Sequence, residues 1–167
     1  PFLVEGAEFE GCFEFPVIKG LDSPEIPLRM IPFDKISCTS DYDAYVCFYI
    51  HDIKFRDIIL QIDSHIDKLK KFKGVITPDC SLYRDMPLSA QISNTYINRA
   101  IGTYLQRNGI SVIPTVRWGD ERSYSNVLFK EKFAFTSIPP KSIIAIGTYG
   151  CIKTKENRYH FTQGLKN

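Results

Sequence analysis

The sequence predicts an α/β fold, with a mostly parallel sheet built from repeated βα units and arranged as an open sandwich or as part of a barrel. Three β-branched runs carry this expectation: Gly74-Val75-Ile76-Thr77, Ser111-Val112-Ile113-Pro114-Thr115-Val116 and Ser142-Ile143-Ile144-Ala145-Ile146. Each stops abruptly in a loop rich in charged, aromatic or glycine residues, and helical patterns lie between them. Strands alternating with helices form parallel sheets, and such sheets bind ligands beyond the carboxyl ends of their strands. A chain of 167 residues is long enough for one full core.

Residues 1–40 read as an irregular extension packed on the domain, with residues 41–167 forming the α/β domain itself. Five prolines fall before position 40. Residues 12–19 could supply a short edge strand, and 23–27 read as a turn. Residues 44–50 form a continuous aromatic and β-branched run, as expected of a strand buried on both faces. Residues 55–71 are helical in spacing, through Ile58, Ile59, Ile62, Ile66 and Leu69. A break is expected near Asp63-Ser64, with Ser64 capping the second piece. Lys68, Lys70, Lys71 and Lys73 suit a solvated helix end.

Residues 87–108 give the strongest helical stripe, through Ile92, Tyr96, Ile97, Ala100, Ile101, Tyr104 and Leu105. Asp85 or Ser89 is expected to cap its start and Gly109 to end it. Asn94, Asn98 and Arg99 lie off the main stripe. The strand at 111–116 follows, then a short helix over 124–129, the strand at 142–146 and a last helix from 154 or 155 to 165. Four strands make a small parallel sheet, and the chain reads as lacking further C-terminal βα units.

Composition narrows the function classes. The net charge of +2 neither demands nor excludes a nucleic-acid partner. No apolar run approaches the ~20 residues of a bilayer span, and no signal-peptide pattern opens the chain, so a cytoplasmic protein without membrane contact is expected. Five cysteines without a CxxC pair argue against a zinc knuckle or a disulfide framework. Cys47 reads as core, whereas Cys80 and Cys151 fall in strand-end loops.

Three strand ends collect the candidate residues. The first offers Asp79, Ser81, Tyr83, Arg84 and Asp85; the second Arg117, Trp118, Asp120, Glu121 and Arg122; the third Gly147, Thr148, Tyr149 and Gly150. His51 and Asp52, at the end of the first strand, can join them. Arginines suit bidentate capture of phosphate, and glycines allow backbone N–H groups close to an anion. The carboxylates Asp79, Asp85, Asp120 and Glu121 can divide acid and base roles, and Asp79 with Asp120 can hold Mg²⁺. Neither a P-loop nor a GxGxxG, HExxH or GxSxG motif is present. Each group also has a structural explanation: turn and helix caps for the aspartates, internal ion pairs for the arginines, core packing for Trp118.

The segments Ile31-Pro32-Phe33-Asp34, Gly74-Val75-Ile76-Thr77-Pro78-Asp79, Ser81-Leu82-Tyr83-Arg84-Asp85-Met86-Pro87, Asn98-Arg99-Ala100-Ile101-Gly102 and Val116-Arg117-Trp118-Gly119-Asp120-Glu121-Arg122-Ser123-Tyr124 resemble the domain-of-unknown-function family numbered forty-four seventeen. Members of that family occur in bacteria, phages and other mobile elements. The resemblance spans roughly residues 32–165 and implies no particular activity.

The leading functional expectation is binding of a phosphate-bearing ligand, a nucleotide or nucleic acid, with metal-dependent phosphodiester hydrolysis as its chemistry. Arg84, Arg117 and Arg122 would make the site anion-selective and salt-sensitive. Asp79→Ala or Arg117→Ala is expected to abolish function without unfolding the chain. The rival expectation is a non-catalytic module of a mobile element that binds a host protein, such as a defence complex. A third is a glycosidase-like barrel using two carboxylates.

Overall fold

The computed structural model describes residues 2–21 and 25–167. The expected turn at 23–27 lies partly outside the described residues. Among the described residues, six strands and five α-helices follow one another. A hairpin of β1 (Phe9–Glu10) and β2 (Phe15–Pro16) comes first, antiparallel and separate from the main sheet. The main sheet contains β3 (Met30–Pro32), β4 (Tyr45–Cys47), β5 (Gly74–Ile76) and β6 (Val112–Ile113). All its pairings are parallel, and the spatial order is the chain order, β3-β4-β5-β6.

Sequence-order strands, joined by crossovers of one hand, place their helices on a single face. The core follows that rule. Val46, Phe48, Val75 and Val112 pack against Ile58, Ile62, Ile66 and Leu69 and against Ile101 and Leu105. The alternate positions Tyr45, Cys47, Ile76 and Ile113 form a second cluster on the opposite face. This order is that of a barrel segment rather than of a doubly wound sandwich.

Several elements differ from the sequence expectation. The 142–146 run contributes one parallel bridge, Thr115 to Ala145, beside β6. Pro114 blocks longer pairing there, since it has no N–H to donate, although its carbonyl accepts from Ala145 N at 2.9 Å. The 55–71 helix divides into α1 (Arg56–Leu60) and α2 (Asp63–Leu69). The break falls at Gln61-Ile62. Ser64 lies inside α2 and donates its hydroxyl to Gln61 O, so it does not cap. The long helix α3 (Leu88–Arg107) starts after Pro87 without a side-chain cap from Asp85 or Ser89. It ends at Gly109, whose φ of 78° suits the left-handed stop. The short helix expected over 124–129 is instead α4 (Glu121–Tyr124), which Asp120 caps. The last helix, α5 (Lys155–Lys166), is capped by Thr154.

The N-terminal hairpin packs on α3 and on residues 133–137. Ser137 N donates to Glu10 at 2.9 Å, its hydroxyl donates to Phe15 O at 2.8 Å, and Ile18 N donates to Ser137 O at 3.1 Å. Among the described residues, no helix is long and apolar enough to cross a membrane.

Candidate functional site at the carboxyl edge of the sheet

Parallel strands deliver the loops after β4, β5, β6 and Ala145 to one edge. There they surround a cavity of about 290 Å³. Asp79, Ser81 and Tyr83 reach it from the β5 loop, Arg117 from the β6 loop, and Tyr149 and Gly150 from the loop after Ala145. His51 and Asp52 line it from the end of β4. The three loops picked out in the sequence therefore converge.

The floor is an ion pair. Arg117 Nη1 donates to Asp79 Oδ2 at 2.6 Å, with the two side chains 10% and 5% exposed. Burial pushes the Asp79 carboxyl above its ordinary value, and Arg117 pulls it only part of the way back. Asp79 Oδ1 and Arg117 Nε are buried without a protein hydrogen-bond partner. Tyr49 lies against this pair; burial, reinforced by the Asp79 carboxylate, holds its phenol well above the ordinary range. A Cβ on Gly147 would lie 2.8 Å from Asp79 Oδ2 and 2.9 Å from the Tyr49 ring. Gly147 therefore serves close backbone approach to the floor.

The wall and mouth are aromatic and polar. Tyr83 and Tyr149 are 52% and 57% exposed. The His51 ring meets Tyr149 edge-on at 5.8 Å, and Lys153 Nζ sits 5.4 Å from the Tyr149 ring centroid. Asp52 accepts both the backbone N–H and the hydroxyl of Ser81, at 3.0 and 2.8 Å. Asn157 lines the cavity from the first turn of α5 and donates to Gly150 O at 3.4 Å.

Arg84 and Trp118 line a smaller neighbouring cavity with Tyr83, Arg117 and Gly150, and the remaining candidates do not line the larger one. Asp120 caps α4 through Arg122 N at 3.0 Å, and Arg122 closes back on it at 2.6 Å. Burial alone would raise the Asp120 carboxyl, but the Arg122 bonds outweigh it and hold the carboxyl below its ordinary value. Arg84 pairs with Glu156 at 2.9 Å on the surface. Asp85 and Glu121 are exposed. Thr148, also exposed, gives its carbonyl to Cys151 N. Trp118 is buried, stacks on Phe161 at 5.5 Å and donates to His160 O. Each guanidinium of the trio has a carboxylate of its own, and only Arg84 and Arg117 share a cavity. Asp79 and Asp120 lie in separate pairs, and the described residues hold no group of three His, Cys, Asp or Glu fit for a metal ion. The residues present do not fit a Mg²⁺ site.

Burial disfavours the thiolate form of the two cysteines in these loops, Cys80 and Cys151. Burial pushes Cys80 up to about 12. Burial also raises Cys151, although Arg117 opposes it.

A family model described as "Domain of unknown function (DUF4417)" matches residues 7–167. The chain belongs to this family. DUF4417 therefore covers the arm, the sheet and every residue of the cavity. Among curated proteins, the chain is 33% identical to the "Gene 1 protein" of Mycobacterium phage L5 over 119 residues, 71% of this chain and 49% of that protein. It is 30% identical to the "Gene 1 protein" of Mycobacterium phage D29, again over 71% of this chain but 42% of the relative. The chain spans about half the length of the curated relatives it matches, or less. No solved structure matches.

Sequence reasoning missed Tyr49, Lys153 and Asn157. Tyr49 read as the continuation of a buried strand. Lys153 and Asn157 follow the third of these strand ends, where the same strand–loop–helix grammar could have found them.

Proposed function

We propose that this DUF4417 chain binds a small ligand of the nucleotide class at the carboxyl edge of its sheet. The observation that carries the reading is a cavity shared by three strand-end loops, lined by Tyr49, Tyr83, Tyr149, Arg117, Lys153 and His51. Pockets for small molecules run from about 300 to 1,000 Å³ and combine apolar or aromatic walls with a few polar groups. This cavity is near the lower bound, which suits a monomeric ligand. Donors and acceptors on Asp52, Asp79 and Asn157 add hydrogen-bonding capacity. The candidate carboxylates Asp79 and Asp120 sit in separate ion pairs, so the reading is one of binding.

Calorimetric titration with mononucleotides tests it. Binding by at least one is expected, and Tyr149→Ala should weaken it without lowering Tm, because the ring is more than half exposed. No heat from any of them would sink the reading.

A protein-binding role is the second reading. Ile26, Leu28 and Met30 are 78%, 97% and 52% exposed beside edge strand β3, where apolar surface invites a partner. A tagged chain that failed to bind nucleotides but co-purified with one stoichiometric protein would favour it.

A further inference from the structure

We propose that the cavity recognises the nucleoside portion of its ligand, so that a nucleoside without phosphate is sufficient for binding. This rests on the nucleotide-class reading above and specifies which part of the ligand is read.

Charge is the first argument. Asp52 and Asp79 face Arg117 and Lys153 around the cavity, with His51 as the remaining titratable base. The two carboxylates and the two cations cancel. Arg117, the deepest cation, is already bound to Asp79 at 2.6 Å. Much of its charge is therefore already met by a buried carboxylate rather than left for an incoming phosphate. Arg84 and Arg122, which would have built an anion site, hold Glu156 and Asp120 instead.

The second argument is shape and chemistry. Tyr83 and Tyr149 expose about half their surface at the mouth, and ring faces of this kind stack on planar bases of any sequence. His51 and Lys153 brace the Tyr149 ring from its edge and its face, at 5.8 and 5.4 Å. Beneath, the buried Asp79–Arg117 pair closes the cavity. The tyrosine rings at the mouth are thus the surface offered to a base, and a phosphate on the sugar stays at the solvent side near the exposed Lys153.

Calorimetry on the full chain, at low and high salt, tests this with the four nucleosides, their 5′-monophosphates, inorganic phosphate and ribose. At least one nucleoside should bind within about threefold of its monophosphate and change little with salt, because few ions are released when no phosphate is neutralised. Tyr149→Ala and Tyr83→Ala should each weaken it about tenfold or more, as loss of a stacking platform does, with unchanged Tm. Lys153→Ala should weaken a monophosphate more than its parent nucleoside. Inorganic phosphate and ribose should give no heat. Binding of monophosphates but not nucleosides, lost in Lys153→Ala, would overturn the inference while leaving the nucleotide-class reading standing. Binding of ribose alone, or of nothing in the set, would overturn both.

Discussion

Asp79 shows how one residue changes meaning between sequence and structure. Its place after a β-branched run marks it as a site residue, and it does line the cavity. Its partner, 38 positions away, is invisible until β5 and β6 lie side by side. The expectation that Asp79→Ala or Arg117→Ala would spare the fold has to be revised. Removing one member of a buried pair strands the other, at a cost of about 3–5 kcal/mol. Urea denaturation of both variants should show losses of that order; losses below about 1 kcal/mol would mean the pair is solvated. Asp120 behaves in the opposite sense with pH. Its folded-state carboxyl lies below the ordinary value, so its contribution is present above the unfolded value and is lost as pH falls through the folded one. Asp79, held above its ordinary value, contributes in the reverse direction: most below the unfolded value, least once pH has risen through the folded one. Asp120→Ala should therefore cost about 1 kcal/mol near neutral pH through the lost cap. Its deficit against the parent should shrink as both are titrated into acid. A deficit that stayed constant down to about pH 2, well below an ordinary aspartate, would contradict this account.

Among elements, periodicity was legible and short pairing was not. The stripe over residues 87–108 and the helix expected from 154 or 155 became α3 and α5. The 142–146 run looks like a strand by composition yet yields a single bridge, because pairing depends on the partner's N–H groups and Pro114 lacks one. The polar residues Asn98 and Arg99 seemed to lie off the apolar stripe, but both are buried. Hydropathy cannot register a polar group whose partners are backbone carbonyls. α5 also hides a close contact. An added Cβ at Gly164 would come within 2.1 Å of the Trp118 ring. Propensity favours Gly→Ala in a helix by about 1 kcal/mol, whereas overpacking of this kind costs about 1–3 kcal/mol. Gly164→Ala is therefore expected to destabilise the chain, and the Trp118 fluorescence spectrum should shift as the indole is displaced. A gain in stability with an unchanged spectrum would show that α5 slides freely over Trp118. The same logic applies to Gly147, where a methyl would press on Asp79 and Tyr49 and reshape the cavity floor.

At the scale of the whole molecule, one side chain joins parts that neither topology nor periodicity connects. Arg99 is 1% exposed on α3. Its guanidinium donates to Ala134 O at 2.8 Å, Thr136 O at 3.1 Å and Thr115 O at 3.2 Å, and to Asn98 Oδ1 at 2.6 Å. Asn98 in turn donates to Thr77 Oγ1 at 2.8 Å and Pro78 O at 2.7 Å, just before Asp79. The network therefore ties α3 to the ends of β5 and β6 and to residues 134–136. Residue 137, next along, is held by the N-terminal hairpin. No carboxylate appears among these partners, and burial lowers the guanidinium to about 9, which leaves it charged at neutral pH. Carbonyl dipoles serve in place of a counter-ion. Arg99→Met keeps much of the volume but leaves three buried carbonyls without this donor, at about 1–3 kcal/mol for each group left unsatisfied. That sum is comparable with the about 5–15 kcal/mol by which a domain of this kind is stable. Arg99→Lys should not rescue it, because an ammonium on a single stem lacks the planar fork that reaches carbonyls on separate segments. Both variants are expected to lose most of their stability, with amide protection falling together in the hairpin, α3 and residues 133–137. If exchange instead rose only in residues 133–137 while α3 and the hairpin kept their protection, Arg99 would be a local clamp, and the cavity floor at Asp79 would owe its position to the sheet alone.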